Sequence, residues 1–453
     1  MTKKVIDIDS ETSRIRAAFV NAGGCTFAEA EDILARSRVA VVLGADAART
    51  LAGQAAFLTA VVTGARCFGK LNVYGALEED LLLPLPLGVT SLRKAAEVLG
   101  AVPADPLVQG FRVVIGLSPE TCDTWSVHAF WDGWTAGTTP ANRSVAPGRS
   151  DCVLAGVAAG GLAIGQAFMA LQGDVRAGRS VQRLSLWHPG VDTTDACAQP
   201  IALPLAYWLV GLGNLGQAYL WSLTLLPYPR SEDVLVFCQD DERIGKENWG
   251  TSVLVKHGGY GMLKTRVAED WALARGFQVR RIDRRLDEHL LRSPFEPGLA
   301  LAGLDGMAAR RLLGQPGFAY VIDAGLGRTA AEYRHFRVNI FDASSNPAEH
   351  FRDVEDQTAQ VTRALLELPA YQEIARTHDD GGCGVAMLAE RSVAVPYVSA
   401  VVGALALAQA IRIASGREPV RTVTGDVGDL RTVQTAYGSQ SSRLVIPVVQ
   451  SGF

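Results

Sequence analysis

The stretch WLVGLGNLGQAYL, residues 208–220, runs from an apolar segment through Gly211-Leu212-Gly213-Asn214-Leu215-Gly216 into an apolar helical pattern. G-x-G-x-x-G between a strand and a helix marks a turn that holds phosphate. Glycine adopts backbone conformations closed to other residues, and without a Cβ it lets phosphate approach backbone N–H groups and the helix N-terminus. Gly211, Gly213 and Gly216 are therefore expected to bind a nucleotide. The motif alone does not choose between a dinucleotide and ATP.

On either side of this turn the pattern is α/β. Strand candidates at 233–238 (DVLVFC), 277–282 (FQVRRI), 299–304 (LALAGL) and 318–323 (FAYVID) alternate with helical stretches such as 261–275. Alternation of this kind predicts a largely parallel, doubly wound sheet. The chain also repeats itself. Gly160-x-Leu162-Ala163-x-x-Gln166-Ala167 recurs as Gly403-x-Leu405-Ala406-x-x-Gln409-Ala410, and SRVAVVLGADAARTL (37–51) mirrors YWLVGLGNLGQAYL (207–220). Internal repetition predicts two tandem Rossmann-like units paired within one chain, 1–190 and 205–453. A linker is expected over 191–204, in a stretch rich in Pro, Gly, Asp and Thr. The apolar segments 152–171 and 393–413 approach the ~20 residues that span a bilayer. Both carry a Gln and are rich in Gly and Ala, so they read as helices buried against a sheet.

The 453 residues are 48% hydrophobic and 20% charged, with a net charge of −4. That balance suits a globular protein with large cores and lacks the basic stripe of a nucleic-acid partner. Seven cysteines are dispersed without a C-x-x-C pair. They imply a reduced, cytoplasmic protein with no structural zinc, and the opening MTKKVIDIDSETSR lacks the apolar core of a signal peptide.

Chemistry gathers in the second unit. Asp240, after the second strand, can accept the ribose hydroxyls of NAD or of ATP. Asn248 and Lys264, the latter opening a helix, suit a polyphosphate chain. Asp305, at the C-terminal end of a strand, is placed to hold Mg²⁺, with Arg310 five residues on. Cys383 lies in a glycine-rich segment before the last apolar helix and is a candidate nucleophile.

Taken in order, these pieces resemble the ThiF/MoeB and ubiquitin-activating superfamily. Its pattern is a glycine turn, D-x-D, N-x-x-R, G-x-x-K, D-N-x-x-x-R and a Cys before a final helix. The matching residues are Gly211, Gly213 and Gly216; Asp240 and Glu242; Asn248; Gly261 and Lys264; Asp305 and Arg310; and Cys383. TSRIRAAFVNAG followed by AEDILARSRVAVVLGA is similar to that family's opening, with Arg14 at the arginine that reaches the partner unit's ATP phosphates. The first unit's own turn, Gly44-Ala45-Asp46-Ala47-Ala48-Arg49, carries Asp and Arg in place of glycines, which implies an inactive site. The pattern departs from the family at Thr251 (for Arg), Glu242 (for Asp) and Gly306 (for Asn), leaving Arg243, Lys246 or Arg14 to compensate at the phosphates.

The resemblance implies ATP-dependent adenylation of the C-terminal carboxylate of a ubiquitin-like protein. Asp305 would hold Mg²⁺, Lys264 and Arg14 would meet phosphate charge, and Asp240, Glu242, Asn248 and Arg310 would contact the nucleotide. Cys383 would take the acyl group as a thioester for transfer to a ubiquitin-conjugating-like enzyme, as in compact bacterial conjugation operons, some of them used in antiphage defence. No nucleic-acid or membrane partner is expected, and a homodimer is left open. The alternatives are a sulfur-carrier or peptide adenylyltransferase without conjugation, an NAD(P)-dependent oxidoreductase, and a scaffold whose site has decayed.

Overall fold

The computed structural model describes residues 10–21, 24–106, 109–117, 125–143, 150–191, 201–327, 332–354, 358–377, 383–390, 393–437 and 447–451. Short β-branched runs make its central strands. Val39–Leu43 (β1), VAVVL, is buried at every position, as a parallel strand covered on both faces must be. It is followed by β2 (Leu71–Gly75), β3 (Val102–Pro103), β4 (Phe111–Ile115), β5 (Ser126–Asp132), β6 (Thr135–Pro140) and β7 (Gln182–Ser185). The sheet order is β3-β2-β1-β4-β5-β6-β7, parallel as far as β5 and antiparallel through β6 and β7.

The second half repeats this order. After β8 (Ile201–Pro204) come β9 (Ala206–Val210), β10 (Leu235–Gln239), β11 (Gln278–Ile282), β12 (Leu299–Ala302), β13 (Tyr320–Leu326), β14 (His335–Asp342), β15 (Val420–Asp426) and β16 (Asp429–Tyr437). They form a sheet ordered β11-β10-β9-β12-β13-β14-β15-β16, again parallel at first and antiparallel from β14 onward. Strand for strand, β9 to β15 follow β1 to β7, so the fold is mixed α/β with the same topology twice.

One boundary differs from the sequence expectation. Residues 201–204, read as the end of a linker, form β8, which pairs antiparallel with β17 (Val448–Ser451). Ile201, Ala202 and Leu203 are all buried, and burying them gives this short segment a reason to pair. Residues 192–200 lie outside the described residues.

Four helices form a layer shared by both halves: Leu51–Cys67 and Val153–Leu171 from the first, Asn214–Thr224 and Pro396–Ala414 from the second. A single core cluster runs through them from β1 to β15. The repeated glycines explain how they come so close. A Cβ on Gly160 would stand 2.2 Å from Ala56 O, and one on Gly403 would stand 3.1 Å from Ala218 backbone, each on the partner helix of its own half. A Cβ on Gly161 would meet Tyr397 O at 3.0 Å across the two halves.

Val153–Leu171 and Pro396–Ala414 are long and apolar enough to cross a membrane, yet both are buried inside the protein. Several of their polar side chains find backbone partners there. Gln166 Oε1 accepts from Gly178 N at 2.8 Å, Gln409 Nε2 donates to Leu186 O at 2.6 Å and Arg412 Nη1 donates to Trp187 O at 2.8 Å.

Gly160→Ala forces backbone apart in the densest part of this layer, whereas Gly24→Ala adds its methyl to open space. Urea unfolding is expected to show about 1–3 kcal/mol lost for Gly160→Ala and less than about 0.5 kcal/mol for Gly24→Ala.

Candidate active site

Two of the three motif glycines are required by packing. Gly211 has φ +83°, which favours glycine, and a Cβ there would stand 2.7 Å from Gly303 O. A Cβ on Gly216 would stand 2.0 Å from Gly211 O, so this glycine lets helix Asn214–Thr224 lie against the turn. Gly213 is different. It caps that helix, and a Cβ there would meet nothing within 4 Å. The open space lies at a helix N-terminus, where unpaired N–H groups and the helix dipole favour an anion. A phosphate fits this cradle.

The turn opens on a cleft of about 1610 Å³ at the carboxyl ends of β9, β10 and β12. This is where the strand order reverses, the usual ligand crevice of an open α/β sheet. Arg14, Asp240, Glu242, Asn248, Lys264, Asp305 and Arg310 all line it.

Asp240 secures the turn itself: Oδ2 accepts from Leu212 N at 2.6 Å and Oδ1 from Glu242 N at 2.8 Å. Burial pushes its carboxyl above the ordinary range, while Lys264 and the two N–H donors pull it back. Lys264 opens helix Lys264–Ala274, is almost fully buried, and pairs through Nζ with Glu242 Oε2. The same lysine lowers the Glu242 carboxyl, chiefly by its charge, and Arg14 adds to the effect. Asn248 Oδ1 accepts from Gly245 N at 2.8 Å, which fixes its short turn.

Arg14 comes from the other end of the chain. It is the second residue of helix Ser13–Asn21, whose approach packs on the second half so tightly that a Cβ on Gly250 would stand 2.3 Å from Glu11 O. Glu11 Oε1 also accepts from Tyr260 OH and lies 3.0 Å from His257 Nδ1.

Asp305 sits three residues beyond β12, at the exposed lip of the cleft rather than in the strand. It supplies one carboxylate; among the described residues no group of three or more His, Cys, Asp or Glu could hold a metal. Arg310, expected against the nucleotide, directs its donors inward. Nη1 bonds Asp323 Oδ2 at 2.6 Å, and Nη2 bonds Leu304 O at 2.7 Å and Ala324 O at 3.0 Å. Asp323 is fully buried, and an unpaired carboxylate at that depth would be costly, so the arginine is drawn to it. Arg310 thereby braces the turn that presents Asp305.

Cys383 is the first residue of helix Cys383–Glu390, and its side chain lies outside the described residues. Val385, Leu388 and Ala389 of that helix are buried, and Val393 and Ala394 just after it line the cleft. In the first half, Asp46 Oδ1 accepts from Leu117 N at 2.8 Å, and a Cβ on Gly44 would stand 2.3 Å from Leu117 O. The crevice equivalent to the glycine turn is thus filled by Asp46.

Three features escaped the sequence reading. Ser399 donates to Asn214 Oδ1, tying the glycine turn to the last long helix. Gln217 Nε2 donates to Leu212 O at 3.2 Å while its Oε1 accepts from Leu254 N at 3.0 Å. The cleft also extends over β14 and β15, where His335, Arg337, Asn339, Thr424 and Asp426 line it. The strict polar/apolar alternation of HFRVNI (335–340) was the available signal. With this extension the cleft exceeds the ~300–1,000 Å³ of ordinary small-molecule pockets.

The chain is similar to the bacterial E1-like protein BilD of Collimonas sp. (strain OK412), at 32% identity over 93% of each chain. Residues 38–186 match the BilD N-terminal domain and residues 203–417 the BilD C-terminal domain. Among solved structures, E. coli MccB with ATP is similar over 52% of this chain and 65% of that one, at 11% identity and a TM-score of 0.34. E. coli MccB with MccA-N7isoASN gives 14% identity over 51% and 64%, with a TM-score of 0.35. The chain spans less than two thirds of those MccB chains, and the likeness is too distant to transfer any property. With its two halves matching the two BilD domains in order, the chain belongs to the BilD family of bacterial E1-like proteins.

Proposed function

We propose that this chain is an ATP-dependent activating enzyme for a ubiquitin-like protein. The observation that carries the reading is the convergence of Lys264, Asp305 and Arg14 on one cleft that also holds the open space at Gly213. Two cations and a carboxylate around a helix N-terminus suit a polyphosphate that changes charge during reaction. A hydride carrier calls for neither Lys264 nor Asp305.

A carboxylate is a poor acyl donor because its leaving group is poor. In the proposed first step, an oxygen of the modifier's C-terminal carboxylate attacks the α-phosphorus of ATP. The bond to the β-phosphate breaks and pyrophosphate leaves, giving an acyl-adenylate. The protein contributes position and charge. The helix N-terminus at Gly213 and the cations of Lys264 and Arg14 meet the phosphates, and Asp240 holds the turn. Mg²⁺ held through Asp305, phosphate oxygens and water would supply further charge neutralisation. The part of the cleft over β14 and β15 gives an extended C-terminal tail room to lie. In the second step the Cys383 thiolate attacks the acyl carbon, AMP leaves, and the thioester passes to a conjugating enzyme. Residues 205–453 would carry this chemistry, and residues 1–190, with Asp46 filling the equivalent crevice, would be inactive in adenylation.

ATP–pyrophosphate exchange with the cognate ubiquitin-like protein tests the reading. Asp305→Ala and Lys264→Ala are expected to lose exchange by about 10²-fold or more. Cys383→Ala is expected to retain exchange while losing the thiol-sensitive adduct on a non-reducing gel. Exchange without any adduct in the wild type would leave an adenylyltransferase that does not conjugate.

The Lys264–Glu242 pair gives a pH signature. Lys264 lowers the folded-state Glu242 carboxyl below its ordinary 4.5, so the pair's stabilisation is present above that value and is lost as pH falls through the folded one. Glu242 is 58% exposed, which limits the contribution to less than about 1 kcal/mol. Glu242→Gln should therefore unfold at slightly lower temperature than wild type at pH 7, with the gap closing as pH falls below 4.5 and through the lowered folded-state value. A gap that persists in acid would mean the glutamate acts through packing instead.

A further inference from the structure

We propose that Arg66, on helix Leu51–Cys67 of the first unit, is a positioning residue for the second unit's nucleotide site, holding the 248–255 loop so that Asn248 and Thr251 face the cleft. The inference rests on the proposed function, in which that cleft binds ATP, and it gives the first unit a role in the second unit's affinity.

Arg66 is buried and its whole guanidinium is engaged. Nε donates to Ser252 O at 3.2 Å, and Nη2 donates to Val255 O at 2.8 Å and to Val253 O at 3.3 Å. Nη1 closes back on its own half, at 3.4 Å from both Val62 O and Leu99 O. The guanidinium carbon lies 5.2 Å from the centroid of the Trp249 ring, whose neighbour His257 is stacked at 4.9 Å. Among the described residues no carboxylate forms an ion pair with Arg66. Burial lowers its pKa only to about 10, so it is charged at neutral pH.

A buried cation satisfied by carbonyls alone adds little net stability, since an apolar side chain of similar volume often serves as well or better. What it supplies is direction: a planar fork can hold several carbonyls in one arrangement. Three of these carbonyls belong to the four residues 252–255, immediately after Asn248 and Thr251, which line the cleft. The loop belongs to no strand, so no sheet ladder fixes it. It is held on one side by Arg66 and on the other by Gln217, which accepts from Leu254 N and donates to the glycine turn. Both contacts converge on the loop from helices of the shared layer.

Calorimetric titration of ATP with Mg²⁺ into wild type, Arg66→Lys and Arg66→Gln tests this without any partner protein. Arg66→Gln is expected to weaken ATP binding at least tenfold. Arg66→Lys, which keeps the charge but not the fork, should fall between it and wild type. Amide hydrogen exchange should quicken over 248–255 while β9 and β10 stay protected, a pattern that general destabilisation would not give. If Arg66→Gln does not fold, Arg66→Lys decides: weaker binding with faster loop exchange supports the role, and neither change overturns it. Lower thermal stability with ATP affinity within twofold of wild type in both variants would make Arg66 a structural brace only. A wild-type protein that binds no ATP would instead overturn the proposed function.

Discussion

The close approach of four helices between two sheets is the constraint on which the rest depends. Gly160 and Gly403 let the helices of each half pack at backbone distance, and Gly161 does the same between the halves, so the two duplicated halves share one core. Once the halves are fused in this way, a residue of one half can serve the other. Helix Ser13–Asn21 lies over the second half's cleft and helix Leu51–Cys67 lies behind it. Arg14 thus lines the second half's cleft, and Arg66 holds the loop beside it. Separated halves would each expose a large apolar helix face.

Within the cleft, several charges are met by partners before a ligand arrives. Lys264 is nearly buried, and Glu242 meets its charge. Asp240 is partly buried and held by two backbone N–H donors, which offset part of the upward push that burial gives its carboxyl. Arg310 and Asp323 neutralise each other below the Asp305 turn. Under the proposed function, an incoming polyphosphate competes with Glu242 for Lys264. The ion pair then works as a placeholder, keeping the lysine ordered at modest strength because the glutamate is half in water.

The part of this architecture written in local pattern was legible beforehand. The motif glycines, the alternation of strands and helices and the 160/403 repeat all depend on residues close in sequence, and each has a counterpart in the fold. Strand ends drifted by up to three residues, and Asp305 moved from a strand end to a turn, because ladder ends are set by neighbours and not by the run itself. What the sequence hid is non-local. Nothing near Arg310 shows that Asp323, on another strand, will be buried beside it. Nothing in IALP (201–204) points to a partner more than 240 residues away. Arg66 reads as an ordinary helix-ending arginine until the 252–255 carbonyls are brought to it.

The asymmetry of the two turns explains how duplication yields one candidate site. Both halves run a strand, β1 or β9, into a tight turn and a buried helix. In the second half the cap position is Gly213 with open space beside it; in the first, Asp46 reaches the backbone N–H at the end of β4 and fills the crevice. A carboxylate in that position satisfies the N–H that an anion would otherwise claim, and it repels phosphate. The first half keeps its sheet and its helices, because the second half's core and its 248–255 loop are built against them. Its own crevice is under no such demand, and under the proposed function an internal cap there leaves the second half as the one anion site.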